Sequence, residues 1–338
     1  MAQNKNVTVM SYEEFVETLT VKLPEYLPEE FSKRMVIRQV TTTNQTRDIV
    51  TFEGMPGGKA NVAPVIYLDD VYAQYCQNPV GVNTICSDFS DMVQNAIKRL
   101  PDVRKIEDQL RLDEVFMALI NFEENQKLLE SVPHRIFGDL AVVYKVTVSD
   151  DRIGTGSVTI SIPLMESMGV SEELLYEAAM KNMRDLYMVE RIEDALGFMP
   201  KDPKDSVEPS FSDLSTLQKD SMMYVLGNRR RFWGAGILLM KENIKALAEY
   251  LENDLILIPS SVHEIIAVPD KDPDLVKTCI SMVKEVNASS VEPRDRLSNS
   301  VYRYDRQRDS IQVFTQDGEV REITLKTVGE ASPEMKTA

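Results

Sequence analysis

Two hydroxyls, an imidazole and a carboxylate fall close together in this chain: Ser260, Ser261, His263 and Glu264, inside the stretch DLILIPSSVHEIIAVPD from Asp254 to Asp270. These are the parts of nucleophilic catalysis, in which a histidine takes the proton of a serine hydroxyl and a carboxylate orients the ring. The spacing works against that assembly. Both flanking runs are continuously apolar, which predicts a hairpin covered on both faces and central in its sheet. Pro259 has no N–H for a ladder and is expected to end the first strand, leaving Ser260 and Ser261 to make the turn. His263 and Glu264 then leave the turn toward opposite faces, so a carboxylate other than Glu264 would be needed to orient the imidazole. The GxSxG elbow of serine hydrolases is absent. HExxH is absent too, because Ala267 stands at the second histidine position. The plainer expectation is that His263 bonds groups of the turn and Glu264 satisfies an exposed backbone amide.

Arg229, Arg230, Arg231, Phe232 and Trp233 form the one local cluster of basic and aromatic side chains. Guanidinium forks beside an indole can grip a phosphate or stack on a base. The same residues can equally make a solvated hairpin loop with Trp233 tucked into the core beneath. GMPGGKA from Gly54 is one residue short of a phosphate-binding loop, and Ala60 replaces the hydroxyl that would hold magnesium, so it reads as a plain loop. His134 and His263, with Cys76, Cys86 and Cys279, are scattered without metal-ligand spacing. Asp69-Asp70 and Asp150-Asp151 lack the alternating oxygen ligands of a calcium loop. No metal and no cofactor is expected. Cys76 and Cys279 fall on apolar stripes of predicted helices and read as buried thiols.

The elements that must position these residues follow from periodicity and caps. Ser11-Tyr-Glu-Glu14 is a capping box opening a helix with Phe15 and Leu19 on its apolar face. Met35 to Thr41 and Arg47 to Phe52 predict a hairpin around Asn44-Gln45, followed by helices within VAPVIYLDDVYAQYC and from Ser87 to Leu100. Leu112 to Phe122 predicts a strand, and Leu140 to Val148 with Ser157 to Ile162 a hairpin. A helix then starts at Ser171. Short strands are expected at Met222 to Leu226 and Ile237 to Met240, with a helix carrying Ile244, Leu247, Ala248 and Leu251 on one stripe. Asp272-Pro273 opens another helix after the central hairpin. Val301 to Tyr304 and Ile311 to Phe314 pair last, with a further strand near Glu322 to Leu325. The recurring strand–strand–helix pattern predicts an α+β fold of antiparallel sheets with helices packed on one face. Two lobes are expected, 1–105 and 106–328, with a loop or linker at 199–220 and a disordered tail at 329–338.

The chain has 338 residues, 43% hydrophobic and 27% charged, and a net charge of −16. That is the composition of a soluble globular protein, and its charge disfavours a nucleic-acid backbone as general partner. No apolar run reaches the roughly 18–20 residues of a membrane span, and the first residues lack the layout of a signal peptide. The odd cysteine count without CxxC spacing fits a reducing compartment. The expected location is the cytoplasm.

Several of these residues also carry a resemblance. Leu226-x-Asn228, Gly234-Ala235-x-Ile237-Leu238, Leu247-Ala248-Glu249, Ile258-Pro-Ser-Ser-Val-His-Glu264, Pro269-Asp270, Val283-x-Glu-Val-Asn287 and Val301-Tyr-Arg-Tyr-Asp305 resemble a family of uncharacterised bacterial proteins. Ser11-Tyr-Glu-Glu-Phe15 and Tyr67-Leu68-Asp69 fit it as well. That family, common in anaerobic gut bacteria, is a domain of unknown function. The segment from Leu164 to Leu186 is similar, more distantly, to a second uncharacterised family of cytoplasmic bacterial proteins. Neither resemblance implies an activity, a cofactor or a catalytic residue. The Arg229 to Trp233 loop departs from the first family's pattern, where a shorter and less basic turn is expected. The resulting expectation is a non-enzymatic protein that binds an unidentified protein or small molecule. A hydrolase using His263 with Ser260 or Ser261 is the alternative, and a nucleotide or nucleic-acid binder using the arginine loop a weaker one.

Overall fold

The computed structural model describes residues 9–53, 64–98, 110–150, 154–197 and 210–328. The fold is α+β. The described residues fall in two compact units, one within 1–42, 46–110 and 148–156, the other within 43–45, 111–147 and 157–338.

In the first unit, helix α1 (Tyr12–Lys22) starts at the expected capping box. Ser11 Oγ accepts the Glu14 N–H at 3.2 Å, and the Glu14 carboxylate accepts the Ser11 N–H at 2.9 Å. Strands β1 (Met35–Thr42) and β2 (Gln45–Phe52) are joined through Asn44, at φ 62° in the left-handed region that Asn tolerates. Strand β3 (Ile66–Tyr67) pairs with β2. Helix α2 (Leu68–Gln77) carries Asp69 and Asp70 in its first turn, and the buried Arg47 of β2 pairs with both, at 2.7 and 2.6 Å. Phe15, Leu19 and Leu23 pack with Phe89 and Val93 of helix α3 (Val82–Lys98).

The second unit holds two sheets. One joins β4 (Val115–Asn121), β5 (His134–Phe137), β6 (Leu140–Asp150) and β15 (Leu325–Thr327) in the order β15-β5-β6-β4, with β7 (Gly154–Thr159) also on β6. Helix α4 (Glu172–Met183) follows, capped by Ser171, whose Oγ accepts the Leu174 N–H at 3.2 Å. The other sheet has seven strands: β8 (Tyr187–Arg191), β9 (Tyr224–Asn228), β10 (Leu255–Ser261), β11 (Glu264–Pro269), β12 (Val301–Asp305), β13 (Ser310–Phe314) and β14 (Val320–Ile323). Their order is β14-β13-β12-β10-β11-β9-β8, so the apolar hairpin β10–β11 is central, as its continuous hydrophobicity requires. Ile256, Ile258, Val268 and Val301 face Cys279 and Val283 of helix α6 (Leu275–Ser289). Leu255, Leu257, Ile265 and Ala267, of opposite parity, are fully buried too. Helix α5 (Lys241–Leu251) buries the expected stripe of Ile244, Leu247, Ala248 and Leu251.

Several elements differ from their expected form. Pro259 does not end β10. The strand continues through Ser261, and its register with β11 shifts between Ile258 and Ser261, a bulge that absorbs the missing N–H. The turn is therefore Val262-His263, not the two serines. Ile237 to Met240 is no strand. Gly234–Leu239 is a 3-10 helix, and β9 pairs instead with β11 on one side and β8 on the other. The N-cap position of helix α6 is Asp274, without a side-chain capping bond, two residues after the expected Asp272, whose carboxylate accepts the Asp274 N–H at 3.0 Å. The terminal segment makes two strands: β14 extends β13, while β15 crosses to β5. Cys76 is exposed, whereas Cys86 and Cys279 are buried. The Gly54–Ala60 loop, the 100–105 boundary, the first part of the 199–220 segment and the 329–338 tail lie outside the described residues.

Candidate functional site

The β10–β11 turn separates the groups that looked catalytic. Ser260 Oγ donates to Glu264 Oε1 at 3.2 Å, and Ser261 Oγ accepts the His263 N–H at 3.0 Å. Neither hydroxyl bonds the imidazole. His263 Nδ1 instead accepts the backbone N–H of Trp233 at 3.2 Å, and Nε2 lies 3.3 Å from Asp295 Oδ1. An accepting Nδ1 assigns the neutral ring's proton to Nε2, which then donates to the carboxylate. Asp295 ends a 3-10 turn (Pro293–Asp295), and its carbonyl also accepts the Val262 N–H at 2.9 Å. The orienting carboxylate is thus Asp295, not Glu264. Both ring nitrogens thus have partners other than a serine hydroxyl.

What His263 holds is the arginine-aromatic loop. Strand β9 ends at Asn228, whose carbonyl accepts the Arg231 N–H at 2.9 Å. The Asn228 side chain brackets Phe232, donating to its carbonyl at 2.8 Å and accepting its N–H at 3.3 Å. Arg231 (φ 50°) and Trp233 (φ 56°) are both left-handed. That conformation costs about 1–3 kcal/mol at a non-glycine residue and persists only where neighbours over-determine it. Gly234 makes the approach feasible. A Cβ there would collide with the His263 carbonyl oxygen and come within 3.0 Å of the Asn228 nitrogen. The result is a stack on display: Phe232 is 41% exposed and lies on His263, ring centroids 5.5 Å apart and planes at 21°. Trp233 meets the Phe232 ring edge-on at 5.6 Å and is itself only 9% exposed.

Arg229, Arg230 and Arg231 are exposed around that stack. Arg231 pairs with the buried Glu190 of β8 at 2.7 Å, and Arg230 donates to Thr147 Oγ1 at 3.3 Å. Beneath the indole, Lys145 of β6 places its Nζ 4.0 Å from the Trp233 ring centroid and donates to Thr159 Oγ1 at 2.7 Å. Burial, at 5% exposure, pushes the Lys145 ammonium down to about 8. The crevice between β8, the loop and the turn, lined by Glu190, Gly227, Arg231, His263 and Glu264, measures about 10 Å³. That is about the room of one water molecule, so the serine-histidine turn does not border a substrate-sized cleft there.

The loop and the turn are legible in the sequence, but their partners are not. Asp295 and Glu190 come from other elements and carry no local signal. Lys145 carried one: it is the single charge in the apolar run Leu140 to Val146. His134 is elsewhere, its Nδ1 3.0 Å from the Val132 carbonyl oxygen. Among the described residues no group of three or more His, Cys, Asp or Glu side chains is placed to hold a metal ion. Among them, too, no helix is long and apolar enough to cross a membrane.

Residues 12–306 match the family of unknown function DUF5688, and the chain belongs to that family. No curated protein and no solved structure matches it.

Proposed function

We propose that this member of the DUF5688 family is a non-enzymatic, cytoplasmic bacterial binding protein whose recognition element is the Arg229–Trp233 loop. One observation carries the reading. Two left-handed non-glycine residues, Arg231 and Trp233, are held in place by Asn228, His263 and Gly234 in a loop that exposes Phe232 and the arginines. Backbone strain kept by so many hydrogen bonds, with no gain in core packing at the exposed positions, is a mark of a pre-shaped surface. Exposed guanidinium groups around an exposed ring suit a peptide or small molecule that offers an anionic group beside an apolar one. The net charge of −16 weighs against a nucleic acid, whose phosphates the rest of the molecule repels. The engaged nitrogens of His263 weigh against a hydrolase.

The test is affinity capture from cytoplasmic extract with the wild-type chain and with Arg229→Ala/Phe232→Ala, compared quantitatively after confirming equal thermal stability. A partner retained by the wild type and lost by the variant is the expected result. A set of captured partners that the loop variant leaves unchanged overturns the reading.

A further inference from the structure

Around Trp233 the structure collects hydrogen-bond donors and gives them too few acceptors. The indole Nε1–H is buried and, among the described residues, has no hydrogen-bond partner. An indole can only donate, so nothing but an acceptor can satisfy it. Lys145, 5% exposed, has three donors, and its described partners are Thr159 Oγ1 and the face of the indole ring. Arg230, at the rim, spends one of its five donors on Thr147 Oγ1. Among the described residues neither Lys145 nor Arg230 makes an ion pair, although the chain has 54 acidic side chains to draw on. Neighbouring Arg231, by contrast, has its carboxylate in Glu190.

These groups share one place. Lys145 and Thr147 are two apart on β6 and so project from the same face of the strand, with Thr159 of β7 beside them. Trp233 lies on that face through its contact with Lys145, and Arg230 reaches it through Thr147. A buried ammonium without a counter-charge is costly. A buried indole N–H without an acceptor adds to the cost. One acceptor-only, negatively charged group would satisfy both and complete the set.

We propose that Lys145, Arg230 and the indole N–H of Trp233 form a subsite for the oxyanion of a bound ligand, a carboxylate or a phosphate. The subsite rests on the reading of the Arg229–Trp233 loop as the recognition element and names the chemistry that element selects. The exposed Phe232 ring packs the apolar part of the ligand, and the anionic group lies inward of it, at the indole N–H edge and within reach of Lys145 and Arg230.

Trp233 is the only tryptophan of the chain, so its fluorescence reads this site alone. The full chain is titrated with inorganic phosphate and, separately, with acetate, against sodium chloride at matched ionic strength. A saturable change with phosphate or acetate, absent with chloride, is expected. The anion that gives it identifies the ligand group as a phosphoryl or a carboxyl. Lys145→Met should weaken it about tenfold or more, the scale of one lost charge-assisted hydrogen bond. Arg230→Gln, at an exposed position, should weaken it severalfold and keeps the test open should Lys145→Met not fold. A wild-type chain that responds to neither anion, or a response that both variants leave undiminished, overturns the subsite. The two readings fail separately. Loop-dependent capture without an anion response removes the subsite alone, and an anion response with loop-independent capture removes the recognition loop alone.

Discussion

Asp295 Oδ1 stands 3.3 Å from His263 Nε2, while the other nitrogen of that ring receives the Trp233 N–H at 3.2 Å. The imidazole therefore ties a 3-10 turn to a strained loop. His263→Leu removes both bonds and the Phe232 stack, and should destabilise the protein by about 1–3 kcal/mol. His263→Asn keeps a side-chain acceptor near the Nδ1 position and should retain part of that stability. Amide hydrogen exchange of Trp233 separates the roles: it should accelerate strongly in the leucine variant and modestly in the asparagine variant. Equal exchange in all three chains would show that the ring does not fix the loop.

Gly234 is the second point on which the loop depends. A methyl group there has no free direction, because the atoms it meets are backbone: the His263 carbonyl oxygen, the Asn228 nitrogen and the Gly227 Cα. Gly234→Ala should cost about 2–4 kcal/mol, as forced overpacking against atoms that cannot rotate away. Gly81→Ala, where nothing lies within 4 Å of the added carbon, should stay within about 0.5 kcal/mol of the wild type. Urea unfolding of the two variants measures the contrast.

The same pair of features shows what was legible in the sequence and why. The central hairpin was readable because burial on both faces writes itself as two unbroken apolar runs, Leu255 to Ile258 and Ile265 to Val268. The capping box at Ser11 was readable because all its partners lie within one helical turn. The turn was misplaced by two residues because Pro259 removes one ladder bond, which a bulge can absorb without ending the strand. The 3-10 helix at Gly234–Leu239 passed for a strand because Ile237, Leu238, Leu239 and Met240 are apolar in either form. What decides is the glycines: at Gly236 a Cβ would crowd the Tyr187 hydroxyl and come within 3.0 Å of the Met117 carbonyl oxygen. Asp295, Glu190 and Lys145 reach the site from distant segments, and no local pattern brings such residues together.

Asp309 offers a charge test away from the loop. Its carboxylate accepts the Tyr304 hydroxyl at 2.6 Å and faces Lys241 and Lys245 at 3.1 and 3.5 Å. The tyrosine hydrogen bond first, and Lys241 after it, hold the carboxyl down to about 2. A depressed folded value means that the ionised form favours the folded state. The contribution is complete above the ordinary value of 3.8 and is lost as pH falls through about 2. A carboxylate titration followed by NMR should place Asp309 near 2 in the wild type. In Tyr304→Phe it should move toward the ordinary range, and an unmoved midpoint would assign the shift to the lysines alone.

Lys145 should show a site residue held at the expense of stability. Burial depresses its ammonium from 10.5 to about 8, a difference worth about 3 kcal/mol between the two protonation states. The sign follows from proton uptake: between those two values the unfolded chain binds the proton and the folded chain does not, so stability rises with pH across that window. Below it the lysine is charged in both states and the folded protein carries the full cost of the buried charge. Lys145→Met replaces the ammonium with an apolar side chain of similar length, giving up the Thr159 hydrogen bond, worth about 1 kcal/mol, and the cation–π contact with Trp233, worth about as much. The variant should therefore be as stable as the wild type at neutral pH, or more so by about 1–2 kcal/mol. Its advantage should shrink as pH rises past the ordinary lysine value, where the wild-type amine is neutral as well. Paired urea unfolding at neutral and at high pH measures the difference directly, with titration of every other group common to both chains. A variant that is less stable at neutral pH by more than these two contacts account for would mean that the lysine is a structural support, its charge already compensated within the fold.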